Sequence, residues 1–146
     1  MIEGRYETET GKRQFVRDLF NRGARHYDRI GTVGFLGTGS LYRRLALKRA
    51  GLVKGMRVLD VACGTGAVTR EMLNIVGDPT LVWGADPTPG MLDVAHKGLE
   101  AQFVQGRAEE LPFEKGAFDF LSMGYALRHV TDLTVAFREY HRVLRP

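Results

Sequence analysis

Seven consecutive residues, Asp60-Val61-Ala62-Cys63-Gly64-Thr65-Gly66, set an acid before two glycines, and a second acid, Asp86, follows 22 residues after Gly64. Two glycines let the backbone turn tightly beneath a ligand, and a helix N-terminus beyond them offers unpaired N–H groups to an anion. A carboxylate about 20 residues further on, at the end of the next strand, accepts hydrogen bonds from both hydroxyls of a ribose. The pair implies an adenosine-containing cofactor. A dinucleotide loop would place a third glycine where this chain has Thr69, and a triphosphate loop would put a lysine after the glycines, which is absent. Asp60, four residues before Gly64, belongs to neither pattern. A carboxylate there suits an ammonium, such as the amino-acid end of S-adenosylmethionine.

Strands alternating with helices must position these residues. Residues 57–62 are β-prone and run into the glycine loop; 80–85 form a second strand closed by Asp86. Strands over 102–105 and 118–123 follow. The helix between the first two strands carries Val68, Met72, Ile75 and Val76 on one side and stops at Gly77-Asp78-Pro79; another spans 88–98. Thr131 or Asp132 caps a last helix whose Leu133, Phe137, Tyr140 and Leu144 share a face. This is an α/β fold, a doubly wound, mostly parallel sheet, with the ligand expected beyond the carboxyl ends of the strands. Ahead of it, Phe15, Leu19, Gly23 and Tyr27 recur every four residues, predicting a helix over 11–28. Ser40 is expected to cap a helix over 41–50, and Gly51 to end it.

With 44% apolar and 26% charged residues, 146 residues suffice for one globular core. No apolar stretch approaches the roughly 18 residues of a membrane span. The single cysteine forms no internal disulfide, the start lacks a secretory pattern, and a cytoplasmic setting is expected. Ile2-Glu3-Gly4-Arg5 reads as a factor Xa cleavage site, so residues 1–5 are taken as an expression remnant. A helical segment over 6–55 and a cofactor-binding core over 56–146 follow. Residues 1–60 carry 13 Lys and Arg against 6 Asp and Glu, whereas 61–146 carry 8 against 11. That basic third is either a solvated helical surface or a contact for an anionic membrane, a nucleic acid or an acidic substrate.

The stretch 58–66 resembles the first motif of class I S-adenosylmethionine-dependent methyltransferases, a Rossmann-like fold. Gly84-Ala85-Asp86-Pro87-Thr88-Pro89-Gly90-Met91-Leu92 is similar to their second-strand motif. Gly106-Arg107-Ala108-Glu109-Glu110-Leu111-Pro112-Phe113 is similar to the segment beside the adenine. Phe118-Asp119-Phe120, residues 125–132 and Ala24-Arg25-His26-Tyr27-Asp28 resemble stretches of the quinone C-methyltransferases of ubiquinone and menaquinone synthesis. The resemblance implies S-adenosylmethionine as cofactor and S-adenosylhomocysteine as product. It implies cofactor contacts at Asp60, Ala62, Gly64, Gly66, Asp86, Pro87, Met91, Arg107, Ala108, Glu109 and Met123. Two positions depart from it. Arg107 stands where the family has an aspartate that accepts from the adenine amino group, and arginine only donates; it either stacks on the adenine or leaves Glu109 to accept. His129 stands where the quinone enzymes have asparagine.

Methyl transfer from a sulfonium chiefly needs an aligned acceptor and a dry site. For a phenol-like acceptor, a base or a cation that stabilises the phenolate helps, and Arg128 and His129 are the candidates, with Tyr27 beside them. The plainer readings are an exposed arginine, a helix-entry histidine and helix packing. Cys63 reads as a small residue in a tight turn rather than a nucleophile, Trp83 as core, and Met91 and Met123 as either pocket or core. The remaining histidines lack metal-ligand spacing, so no metal is expected. A small-molecule acceptor, in particular a prenylated quinol, is the leading substrate, with peripheral membrane contact. Base methylation is disfavoured, because Ser122-Met123-Gly124-Tyr125 is unlike a base-clamping stretch. The rivals are a non-catalytic cofactor-binding or assembly module and a nicotinamide-dependent oxidoreductase. In the family, "R-V-L-R-P" precedes further strands. The expected strand order 3-2-1-4 then lacks the C-terminal strands, leaves strand 4 as an open edge, and favours a homo-oligomer through that edge.

Overall fold

All four residues of β1 (Val58–Val61) are buried, as the central strand of a parallel sheet covered on both faces requires. The computed structural model describes residues 38–124 and 126–146 of the chain. The helix expected over 11–28, and Tyr27 with it, lie outside them. β2 (Val82–Asp86), β3 (Gln102–Gln105) and β4 (Phe120–Met123) join β1 in the parallel order β3-β2-β1-β4. The chain thus winds outward from β1 to β3 and then crosses to the other side of β1, which makes the carboxyl ends of β1 and β4 the switch point.

Helices cover both faces. Val58 packs with Leu47, Leu52, Met72, Val76, Val82 and Ala101 on one side, the side of α1 (Thr38–Arg49) and α2 (Ala67–Val76). Leu59 and Val61 pack with Ala85, Phe118, Ala136, Tyr140 and Val143 on the other, where α4 (Leu133–Val143) lies. α3 (Pro89–Gly98) links β2 to β3. Trp83 is half-buried, its ring edge-on to Phe113 with centroids 5.4 Å apart. Its indole N–H is buried and, among the described residues, finds no acceptor.

The helix ends show where local signals ruled. Gly51 ends α1 at φ +100°, its N–H donating to the Lys48 carbonyl and the Leu52 N–H to that of Leu47, while Leu47 and Leu52 are both buried. This is a Schellman cap with its apolar contact. Ser40, however, is not the N-cap: α1 starts at Thr38, and the Ser40 hydroxyl donates to Glu71 on α2. At α4, Asp132 rather than Thr131 is the cap and accepts from the Val135 N–H at 3.0 Å. The face shared by Leu133, Phe137, Tyr140 and Leu144 is only partly the buried one. Ala136, Tyr140 and Val143 are buried, whereas Leu133 and Phe137 are 46% and 57% exposed. Small Ala136 shares the core with the strand residues Leu59, Val61 and Ala85, and Tyr140 is the residue common to both stripes. The fourth strand is shorter than expected, with Phe118 and Asp119 leading into it.

Candidate functional site

The strands end level: Val61 is opposite both Ala85 and Met123, and Asp86 is opposite Gln105. Their loops therefore gather at one edge. Asp86 binds the glycine loop to its own strand. Its Oδ2 accepts from the Gly64 N–H at 2.9 Å and its Oδ1 from the Thr88 N–H at 2.8 Å. The Thr88 side chain bonds to the same carboxylate, which still has acceptor capacity for a further donor. Burial raises the Asp86 carboxyl above its usual range despite the pull of these N–H groups.

The two glycines do different work. A Cβ on Gly64 would meet nothing within 4 Å, so the loop has an open face there. A Cβ on Gly66 would lie 2.5 Å from Leu99 Cδ1, so Gly66 is fixed by packing as well as by its φ of +93°. Ala62, between Asp60 and the glycines, takes φ 55°, a conformation that costs a non-glycine residue about 1 kcal/mol.

Asp60 lies behind the loop, only 1% exposed. Its Oδ2 accepts from the Thr69 hydroxyl at 2.6 Å, and Ser122 donates to Oδ1 at 3.4 Å. Burial pushes this carboxyl up to about 7, against the pull of those hydroxyls and with the like charge of Asp86 adding to the rise. Among the described residues no lysine, arginine or histidine forms an ion pair with it. Cys63 is buried, and burial with the charges of Asp60 and Asp86 pushes its thiol up, so it carries no thiolate at neutral pH. That fits a space-filling residue.

Around the rim, Met91 and Ala108 are buried, Met123 is half-buried and Pro87 is exposed. Arg107, with its side chain 45% exposed, lies 3.4 Å from Glu109. Glu109 Oε1 accepts from the Thr131 N–H at 2.8 Å, which ties the segment after β3 to the one after β4. The N–H of Thr131 and the charge of Arg107 outweigh burial and hold the Glu109 carboxyl below its usual range. Arg128 and His129 form a single turn of 3₁₀ helix after β4, both exposed. Arg128 Nε donates to His129 Nε2 at 3.2 Å. Partial burial, then the Arg128 charge, hold His129 below its ordinary value, so the imidazole is neutral at pH 7. The structure thus gathers every expected site residue except Tyr27 along the carboxyl edge of the sheet. Sequence reasoning passed over Thr69 and Ser122, which hold Asp60, and Tyr140, whose hydroxyl donates to Met123 Sδ at 3.6 Å. It also passed over Thr88, although two residues after an aspartate is Asx-turn spacing.

Residues 7–146 match the ubiE/COQ5 methyltransferase family. The chain belongs to this family. It is 36% identical over 137 residues to a demethylmenaquinone methyltransferase from Lactococcus lactis, covering 90% of this chain and 54% of that protein. A ubiquinone/menaquinone biosynthesis C-methyltransferase from Hahella chejuensis is 37% identical over 144 residues, with 94% and 58% covered. The chain therefore spans little more than half the length of these curated relatives. The solved structure of an S-adenosylmethionine-dependent methyltransferase from Mesorhizobium loti superposes with a TM-score of 0.60 at 28% identity, covering 69% of this chain and 47% of that one.

S-adenosylmethionine is the cofactor of this family, and the residues present fit it. The open face at Gly64 leaves room for a ligand against the loop. Asp86 is fixed by two backbone N–H groups with acceptor capacity to spare for a ribose. Asp60 is a buried carboxyl with no ion pair among the described residues, and an ammonium nearby would favour its charged form.

Proposed function

We propose that this chain is the cofactor-binding part of a methyltransferase that alkylates a ring carbon of a prenylated quinol. The observation that carries the reading is the Asp86 carboxylate clasping the Gly64 N–H of the glycine loop at 2.9 Å, in a chain of the ubiE/COQ5 family. Bound there, S-adenosylmethionine supplies a methyl group on a sulfonium, already activated for in-line displacement. The chain's own residues then bind, orient and handle a proton. Asp86 accepts from the ribose hydroxyls, the Gly64–Gly66 backbone lies under the cofactor, and Asp60 provides the negative field for its ammonium. Met91, Ala108 and Met123 line the adenine side, with Pro87, Arg107 and Glu109 at its rim.

Transfer to carbon needs an electron-rich ring. When the phenol displaces the Arg128 Nε–H from His129 Nε2, the neutral imidazole accepts the phenolic proton and the released guanidinium stabilises the phenolate, which raises the nucleophilicity of the adjacent ring carbon. The demethylmenaquinone and ubiquinone/menaquinone names of the relatives support a quinol as acceptor. Two measurements test the reading. Calorimetry of the chain with S-adenosylmethionine, S-adenosylhomocysteine and NAD should give heat with the first two; binding of NAD alone would sink it. Label transfer from methyl-labelled S-adenosylmethionine into reduced quinone extracts should need Arg128 and His129, and transfer to water-soluble phenols instead would replace the quinol.

A further inference from the structure

Glu109 stands at the rim of the crevice, yet its carboxylate is already committed. Its Oε1 accepts from the Thr131 N–H at 2.8 Å, and the Arg107 guanidinium lies 3.4 Å from its Oε2. The N–H groups of Glu109 itself and of Asp132 act on the same carboxylate. Together these donors take up most of the roughly four acceptor sites that a carboxylate offers. The side chain is only 14% exposed. It also faces α4: burial, then the charge of Glu109, push the Tyr140 phenol up to about 12.

The contact joins a firmly held segment to a short one. On the Glu109 side, the Glu110 N–H closes a turn on the Arg107 carbonyl at 3.1 Å. The Leu111 N–H donates to Glu139 Oε2 at 2.9 Å, and Arg142 donates to the Leu111 and Phe113 carbonyls at 3.0 and 2.6 Å. On the other side is the exposed 3₁₀ turn Leu127–His129. Within it the His129 N–H donates to the Ala126 carbonyl, and the Val130 N–H to that of Leu127. A single turn fixes several dihedrals for few hydrogen bonds and needs support from outside. Val130 packs on the core, and Thr131 hangs on Glu109. A negative charge ahead of α4 suits that helix N-terminus as well.

We propose that Glu109 is a positioning residue for the acceptor side of the site: by holding the Thr131 N–H it keeps the Arg128–His129 turn in place, and it does not read the adenine of the cofactor. What the turn does for the acceptor rests on the methyl-transfer reading above. The part given to Glu109 differs from the cofactor contact expected of it. Thr131 is two residues beyond His129, so a shift at one is passed to the other. Misplacing a reacting group by about 1 Å costs on the order of a hundredfold in rate.

Nuclear magnetic resonance and calorimetry of the 146-residue chain test it with E109A and E109Q. Exchange of the Arg128 Nε–H with water is slowed while it donates to His129, and nitrogen–proton correlation spectra follow it. E109A should speed that exchange by about tenfold or more, and E109Q, whose amide oxygen still accepts from Thr131, should restore it. The affinity for S-adenosylhomocysteine should stay within about twofold of wild type in both variants. Unchanged exchange in E109A overturns the proposal, and a fall in Tm beside it would leave Glu109 as plain support of α4. Fast exchange that E109Q does not restore also overturns it, because the charge and not the accepted bond would then matter. Weakening of S-adenosylhomocysteine by about tenfold in both variants overturns it in favour of an adenine contact. The methyl-transfer reading fails by other signs. R128A and H129A that leave label transfer intact, or a wild-type chain that ignores S-adenosylhomocysteine, would sink that reading, while the Arg128 exchange still decides the part of Glu109.

Discussion

Asp86 holds the loop backbone through its carboxylate, and in the proposed reading its remaining acceptor capacity serves the ribose of the cofactor. Asp86→Ala removes a charged acceptor from the ribose and is expected to weaken S-adenosylhomocysteine binding by about 1–3 kcal/mol in calorimetry. Unchanged affinity would remove the ribose role. Asp60 gives a pH dependence. Its carboxyl moves from an ordinary 3.8 to about 7 on folding, so the folded state binds its proton more tightly than the unfolded chain. The cost of burying it is therefore absent below the ordinary value, grows as pH rises, and is complete above about 7. A cofactor ammonium favours the ionised form, so binding near neutrality should release a proton and affinity should rise from about pH 6 to about pH 8. Calorimetry in two buffers of different ionisation enthalpy reads that proton directly. Asp60→Asn should abolish the release, and a release that persists would place the titrating group elsewhere.

The elements depend on one polar contact that no local pattern announces. Glu71 is 2% exposed on α2 and takes both the Ser40 hydroxyl and Arg44 Nε, the latter at 2.9 Å, from α1. Burial raises its carboxyl, but those donors outweigh it and hold the group below its ordinary 4.5. Its stabilising contribution is thus present above that value and lost as pH falls through the folded one. Glu71→Gln should cost about 1–2 kcal/mol, and thermal melts of wild type and variant should converge at acid pH. A constant gap would mean that packing rather than charge is lost. The same contact shows what was legible. The strand positions, the Gly51 cap and the glycine loop rest on short-range patterns, and sequence reading finds them, whereas the strand order comes with the family resemblance. Ser40 was misread because its partner is 31 residues away. Which part of the α4 face is buried was not legible, because hydrophobicity favours Leu133 and Phe137, whereas the core takes small Ala136 beside Leu59, Val61 and Ala85. Thr69 and Ser122 were invisible for the same reason: only the register that sets Ser122 opposite Asp60 brings them together.

At the scale of the sheet, β4 is an edge strand among the described residues, and its own sequence carries none of the usual protection. β4 is Phe120-Leu121-Ser122-Met123, without lysine, proline or acid, and it pairs with β1 on its inner side. Among the described residues its outer side is met only at the approach, where Phe118 bridges Leu144 in parallel and donates to the Val143 carbonyl at 3.0 Å. Among the described residues no strand pairs with β4 beyond that bridge, so its outer N–H and C=O groups are a template for another strand, and natural edges usually carry a charge, a proline or a cover to prevent such pairing. The other edge, β3, has exposed Gln102 and Gln105 at its ends and is the less apolar of the two. Two chains meeting along β4 would extend the sheet without disturbing the carboxyl ends where the cofactor site lies. Light scattering should accordingly show a mass that grows with concentration over the micromolar to millimolar range. A single monomer mass throughout would mean that the edge is covered in solution, and would remove self-association through β4 from the description of this protein.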